Sequence, residues 1–159
     1  MKSSLYHCVP DNFIGDTLYP LNRLAELHPL VAAEHARKYA GRERLMQVRL
    51  PMLDCLWNDV LHLTPLHPSA TRAALHANGF PAGPRRFFII PPELLEPERA
   101  VYFEHSKDTQ GRYDFSASDF SRFEPAAYRE LAAVPEEPCL SHHMPPRRVG
   151  MGMSLWLSQ

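Results

Sequence analysis

The sequence predicts an α+β protein built on a small mixed or antiparallel sheet with helices near the N-terminus. Three observations carry this. A short strand-like segment opens the chain, helical patterns fill the region up to about residue 78, and the later apolar segments read as strands. Strands and helices do not alternate in βαβ fashion, and no glycine-rich phosphate loop is present, which excludes a doubly wound nucleotide-binding fold.

Leu5 to Val9 reads as a strand ended by Pro10, and DNFIGD supplies turn chemistry in Asp11, Asn12, Gly15 and Asp16. Leu21 to His28 has Leu21, Leu24 and Leu27 at helical spacing. Pro29 suits the first turn of a second helix, where its missing N–H has no intrahelical partner, and Gly41 stops that helix as a left-handed cap. RERLMQV gives a further helical turn or two. Pro68 to Asn78 predicts a helix with a narrow alanine face (Ala70, Ala73, Ala74, Ala77) capped by Gly79. Arg86 to Ile90 and Ala100 to Glu104 predict strands, and a short aromatic segment runs from Phe115 to Phe123. Glu124 to Ala133 predicts a helix with Pro125 in its first turn, Pro135 to Pro146 an extended segment, and Met151 to Leu157 a final strand.

The 159 residues suit one domain spanning 1–159, able to bury roughly two-thirds of the surface of the unfolded chain. Seventeen basic and 18 acidic residues leave a net charge of −1, so no overall field draws the protein to nucleic acid or an anionic membrane. No apolar run of about 18 residues and no signal-peptide pattern is found, which predicts a cytoplasmic protein without a membrane partner. Cys8, Cys55 and Cys139 are odd in number and widely spaced, the pattern of reduced thiols rather than of a disulfide framework or a zinc ribbon. Sixteen prolines against seven glycines predict short elements joined by stiff connections.

The densest chemistry lies in CLWNDVLHLTPLHP, Cys55 to Pro68, with Trp57, Asn58, Asp59, His62, Thr64 and His67 close together. His62 and His67 are five apart with Pro65 between them, unlike a helical zinc pair; with Asp59 they define a metal-assisted hydrolase as a minor alternative. The plainer reading is that Trp57, Leu61, Leu63 and Leu66 are buried while the short polar side chains satisfy local backbone groups. On the first strand, His7 and Cys8 point to opposite faces and cannot form a nucleophile pair. His7 facing a cleft would offer its imidazole to a ribose hydroxyl, with Tyr19, Trp57 or Tyr102 available to stack on a flat ring. Arg85-Arg86 and Arg147-Arg148 are the doublets with which a phosphate could be met, and equally suit solvated strand edges.

In segment order the chain resembles the ADP-ribosyltransferase superfamily. LYHCVP looks like that superfamily's first strand, where an aromatic-His pair opens the NAD pocket. FFIIPP and ELLEPERAVYFEHS resemble strands of the toxin branch that attaches ADP-ribose to single-stranded DNA bases, and VRLPMLDCLWNDVLHLTPLHP stands where that branch has an apolar and aromatic stretch. The resemblance implies NAD as substrate, Tyr6 and His7 as the pair that opens its pocket with His7 at the nicotinamide ribose, Tyr102 at the second-strand aromatic position, and Arg42 or Arg49 at the pyrophosphate. It implies a nucleic-acid or protein target. The late-strand glutamate of the superfamily is missing from RRVGMGMSLWLSQ, leaving Glu104, Glu136 or Glu137 as substitutes. Two readings follow: an NAD-dependent transferase with its cleft between His7, the stretch from Trp57 through Asn58 and Asp59 to His62, and Tyr102, or a binding protein of the same fold without catalysis.

Overall fold

The structure, a computed structural model, describes residues 3–13, 15–81, 83–104, 115–130 and 153–158. The expected α+β class is observed: the described residues form three α-helices and short antiparallel sheets. Strand β1 (Leu5–Cys8) is followed by α1 (Leu21–Leu27) and α2 (Pro29–Ala36), joined through the single residue His28. Pro29 occupies the first turn of α2 as its chemistry predicts. The α-helix ends sooner than Gly41. It tightens into a 3₁₀ turn at Arg37–Tyr39, and Gly41, at φ +76, then reverses the chain. The RERLMQV turn is likewise 3₁₀, over Glu43–Gln47.

β2 (Arg49–Leu50) and β3 (Cys55–Leu56) form a hairpin whose turn places Asp54 at φ 50, a left-handed conformation that Asp tolerates. A 3₁₀ turn at Trp57–Asp59 leads into β4 (Val60–Leu63), and α3 (Pro68–Ala77) follows, with Gly79 at φ +75 just beyond its end. β5 (Phe87–Ile90) pairs with β1, Tyr6 opposite Ile89 and His7 opposite Phe88. β6 (Ala100–Glu104), β7 (Phe120–Arg122) and β8 (Met153–Ser158) join β4 in a four-stranded sheet of order β4-β8-β6-β7. A bridge between Tyr6 and Thr64, with N–H···O distances of 2.9 Å in both directions, connects β1 to this sheet.

The period-2 alternation of β6 divides the core. Ala100 and Tyr102 face a cluster with Leu5, Leu63, Leu95, Phe123 and Tyr128, whereas Val101 and Phe103 face another with Leu50, Val60 and Phe120. One expectation is corrected. From Glu124 to Glu130 the chain makes a turn at Pro125–Ala127 and no α-helix, because Tyr128 is drawn into the core against Phe123 while its hydroxyl donates to the Ser4 carbonyl at 2.7 Å. The extended segment expected at 135–146 lies outside the described residues, as do Glu136 and Glu137.

Candidate functional site

Neither α1 nor α3 contains a buried residue, and α2 buries only Ala32. The inner sides of α1 and α2 instead wall a cavity of about 100 Å³ against β1 and the start of β4. Its apolar lining includes Phe13, Leu18, Leu21, Leu24, Val31 and Leu61, and its polar lining includes His7, Asn12, Tyr19, His35, Lys38, Tyr39, Asn58 and His62. An apolar cavity of about 150 Å³ holds a benzene molecule. The cavity here is smaller than that, so a ring entering it extends outward through its mouth.

His7 is fixed by its neighbour strand. A carbonyl oxygen only accepts, so the 2.9 Å contact between His7 Nδ1 and the His62 carbonyl places the proton on Nδ1. Burial disfavours the imidazolium and pulls its pKa below the usual histidine value; the Lys38 ammonium acts in the same direction, and the hydrogen bond to His62 opposes both. The neutral ring therefore keeps Nε2 as an acceptor, the group needed for a ligand hydroxyl. His62 is held in turn: Nε2 donates to the Trp57 carbonyl at 3.1 Å, and its ring lies 4.7 Å from that of Trp57.

The 3₁₀ turn Trp57–Asp59 sends three adjacent side chains three ways. Trp57 stacks on Phe115 at 5.8 Å and joins the core. Asp59 accepts from Asn22 Nδ2 at 2.6 Å and from the Leu56 N–H at 2.8 Å, which fastens α1 to the turn. Asn58, between them, is 3% exposed and lines the cavity.

Lys38, an exposed residue, reaches the cavity and holds its ammonium 5.1 Å from the Tyr39 ring centre. Crowding by protein lowers its pKa, with repulsion from Arg42 adding to the effect. Tyr39 is buried, which raises the pKa of its phenol, and its oxygen accepts from the Trp57 indole. At the rim, Asn12 donates to Glu34 at 2.7 Å and accepts from His35 Nε2 at 2.6 Å, tying the loop after β1 to α2.

Of the residues singled out in the sequence, His7, Tyr19, Asn58 and His62 are brought together at the cavity. Neither Tyr6 nor Tyr102 lines the cavity: Tyr6 is buried on the strand face opposite His7, where burial and a hydrogen bond to Glu130 push its phenol up to about 12, and Tyr102 packs against the core cluster that contains Leu5, Leu63 and Tyr128. Arg42 donates to the Lys38 carbonyl and Arg49 pairs with Asp54 at 2.6 Å, both outside the lining. Glu104 ends β6, and its side chain lies outside the described residues. His67 caps α3 through Nδ1, which accepts from the Ser69 N–H at 3.2 Å. With Asp59, His62 and His67 so engaged, no group of three or more His, Cys, Asp or Glu among the described residues has the arrangement of a metal site. The helix-borne lining, Lys38, Tyr39 and His35 above all, was not read from sequence. The seven-residue spacing of His28 and His35, both on the cavity wall, was the available signal.

No helix of the described residues is long and apolar enough to cross a membrane. No family model, curated protein or solved structure matches the chain.

Proposed function

We propose that the protein binds NAD through its nicotinamide-ribose end, on an ADP-ribosyltransferase-like architecture in which β1 carries the ribose-binding His7. The observation that carries this reading is the neutral, Nδ1-anchored His7, which presents an acceptor nitrogen to the cavity between β1 and the first two helices. Tyr19 and Phe13 supply aromatic surface beside it, and Lys38, with Arg42 next to it, gives positive charge toward which a pyrophosphate leaving the cavity would extend. If the bound nucleotide is turned over, the nicotinamide glycosidic bond breaks and a nucleic-acid or protein nucleophile takes the ADP-ribosyl group.

A specific observation favours binding without transfer. Among the described residues no Asp or Glu lines the cavity, so the negative charge that would steady a ribosyl cation is not at hand there. Ligand-observed NMR with NAD decides between the two. Saturation transfer to NAD that His7→Ala abolishes supports the site, and free nicotinamide accumulating over hours adds transfer or hydrolysis. Wild-type protein that neither contacts nor consumes NAD at millimolar concentration overturns the reading.

A further inference from the structure

The side-chain amide of Asn58 is the least expected feature of the cavity. The residue is 3% exposed, it lines the cavity, and its side chain has no hydrogen-bond partner among the described residues. Buried amides are almost always paired, since leaving one unpaired forfeits its hydration without return. Its neighbours do not share the condition: Asp59 has two donors and Trp57 is stacked. The free amide offers one acceptor oxygen and two donor hydrogens to a group entering the cavity.

We propose that Asn58 reads a primary carboxamide on a planar ring, and that it distinguishes the amide from the corresponding carboxylic acid. Two amides pair reciprocally, N–H to O and O to H–N. A carboxylate in the same place has acceptors only, so it leaves the Asn58 oxygen facing a second oxygen and one buried lone pair unmet. Lys38 sharpens the point. Its ammonium at the same cavity attracts an acid, so a preference for the amide cannot come from charge repulsion. In combination with the reading above, on which this ligand identity rests, Asn58 selects NAD over its deamidated counterpart, nicotinic acid adenine dinucleotide.

The test titrates wild-type protein by ligand-observed NMR with benzamide against benzoate and with NAD against nicotinic acid adenine dinucleotide, then repeats the amides with Asn58→Leu. The expected result is at least ten-fold weaker binding of each acid, at least ten-fold weaker amide binding by Asn58→Leu, and a melting temperature of ligand-free Asn58→Leu equal to or above wild type. Benzamide binding without NAD binding keeps the carboxamide assignment and removes the dinucleotide. NAD binding matched by its deamidated form keeps the nucleotide site and overturns the assignment. An Asn58→Leu protein that melts well below wild type or fails to fold also overturns it, because the amide would then be paired inside the protein.

Discussion

At the residue scale, His7 links stability, binding and pH. Its pKa in the folded protein lies below the ordinary 6.5. Between the two values the unfolded chain holds more protons than the folded one, so stability is complete above about pH 6.5 and falls as the pH drops through the folded-state value. The same proton removes the Nε2 acceptor. Wild-type protein is expected to lose melting temperature as the pH falls below 6.5 and NAD affinity as it falls further through the folded-state value, and His7→Gln to show a shallower loss of both. Parallel pH profiles for the two proteins would assign the titration to other groups. Cys55 gives a second residue-scale prediction. Burial, with help from the Asp59 carboxylate, pushes its thiol up to about 11. At pH 8 its thiolate fraction is therefore on the order of a hundred-fold below that of an ordinary thiol of pKa about 8.5. Alkylation by iodoacetamide, followed by mass spectrometry, should leave Cys55 among the last sites modified in the native state; rapid labelling there would show a more open β2–β3 hairpin.

At the scale of elements, Asp59 and His67 each act as fasteners, one between α1 and the 57–59 turn and one at the start of α3. Asp59→Ala leaves the Asn22 amide and the Leu56 N–H without their acceptor and should cost about 1–3 kcal/mol in chemical denaturation. His67→Ala removes a helix cap and an edge contact with the Tyr6 ring, 5.3 Å between centres, and should cost about 1 kcal/mol. If Asp59→Ala kept full stability and lost only ligand binding, Asp59 would be a site residue after all. These elements were largely legible because their signals are local: Pro29 and Pro68 at helix starts, Gly41 and Gly79 in left-handed turns, short continuous apolar runs in β5 and β6. The site was legible only in part. His7 and Asn58 could be named from residue type, yet the divergence of Trp57, Asn58 and Asp59 depends on a 3₁₀ turn that breaks the strand pattern. The spacing of His28 and His35 puts both on one helical face, but that this face, with Lys38 from the 3₁₀ turn after α2, meets the cavity beside β1 depends on tertiary packing. The helix expected at Glu124 failed for a related reason: the tertiary contact of Tyr128 with Ser4 outweighs a modest local propensity.

At the scale of the whole molecule, the segment that ends at Glu130 returns to the first strand. The Ser4 N–H donates to Glu130 at 3.0 Å and the Tyr128 hydroxyl returns to the Ser4 carbonyl, so the segment near residue 130 clasps the strand that carries His7. The larger dependence is on β8. It pairs with β4 from Val60 opposite Ser158 to Leu63 opposite Leu155, and on its other edge with β6 from Ala100 opposite Leu157 to Glu104 opposite Met153. β4 and β6 therefore meet only through β8 in the hydrogen-bonded order β4-β8-β6-β7. Without it their facing backbone donors and acceptors would lie unpaired at the centre of the protein, a cost far beyond what a small domain's stability of about 5–15 kcal/mol can absorb. His62 sits on β4, and its carbonyl holds His7, so the dependence reaches the cavity. A chain truncated before Met153 should lack a cooperative thermal transition by circular dichroism, elute as aggregate, and bind no NAD. A truncated protein that melted cooperatively and kept the His7-dependent NMR signal would show that β1, α1, α2 and β4 form the binding unit by themselves.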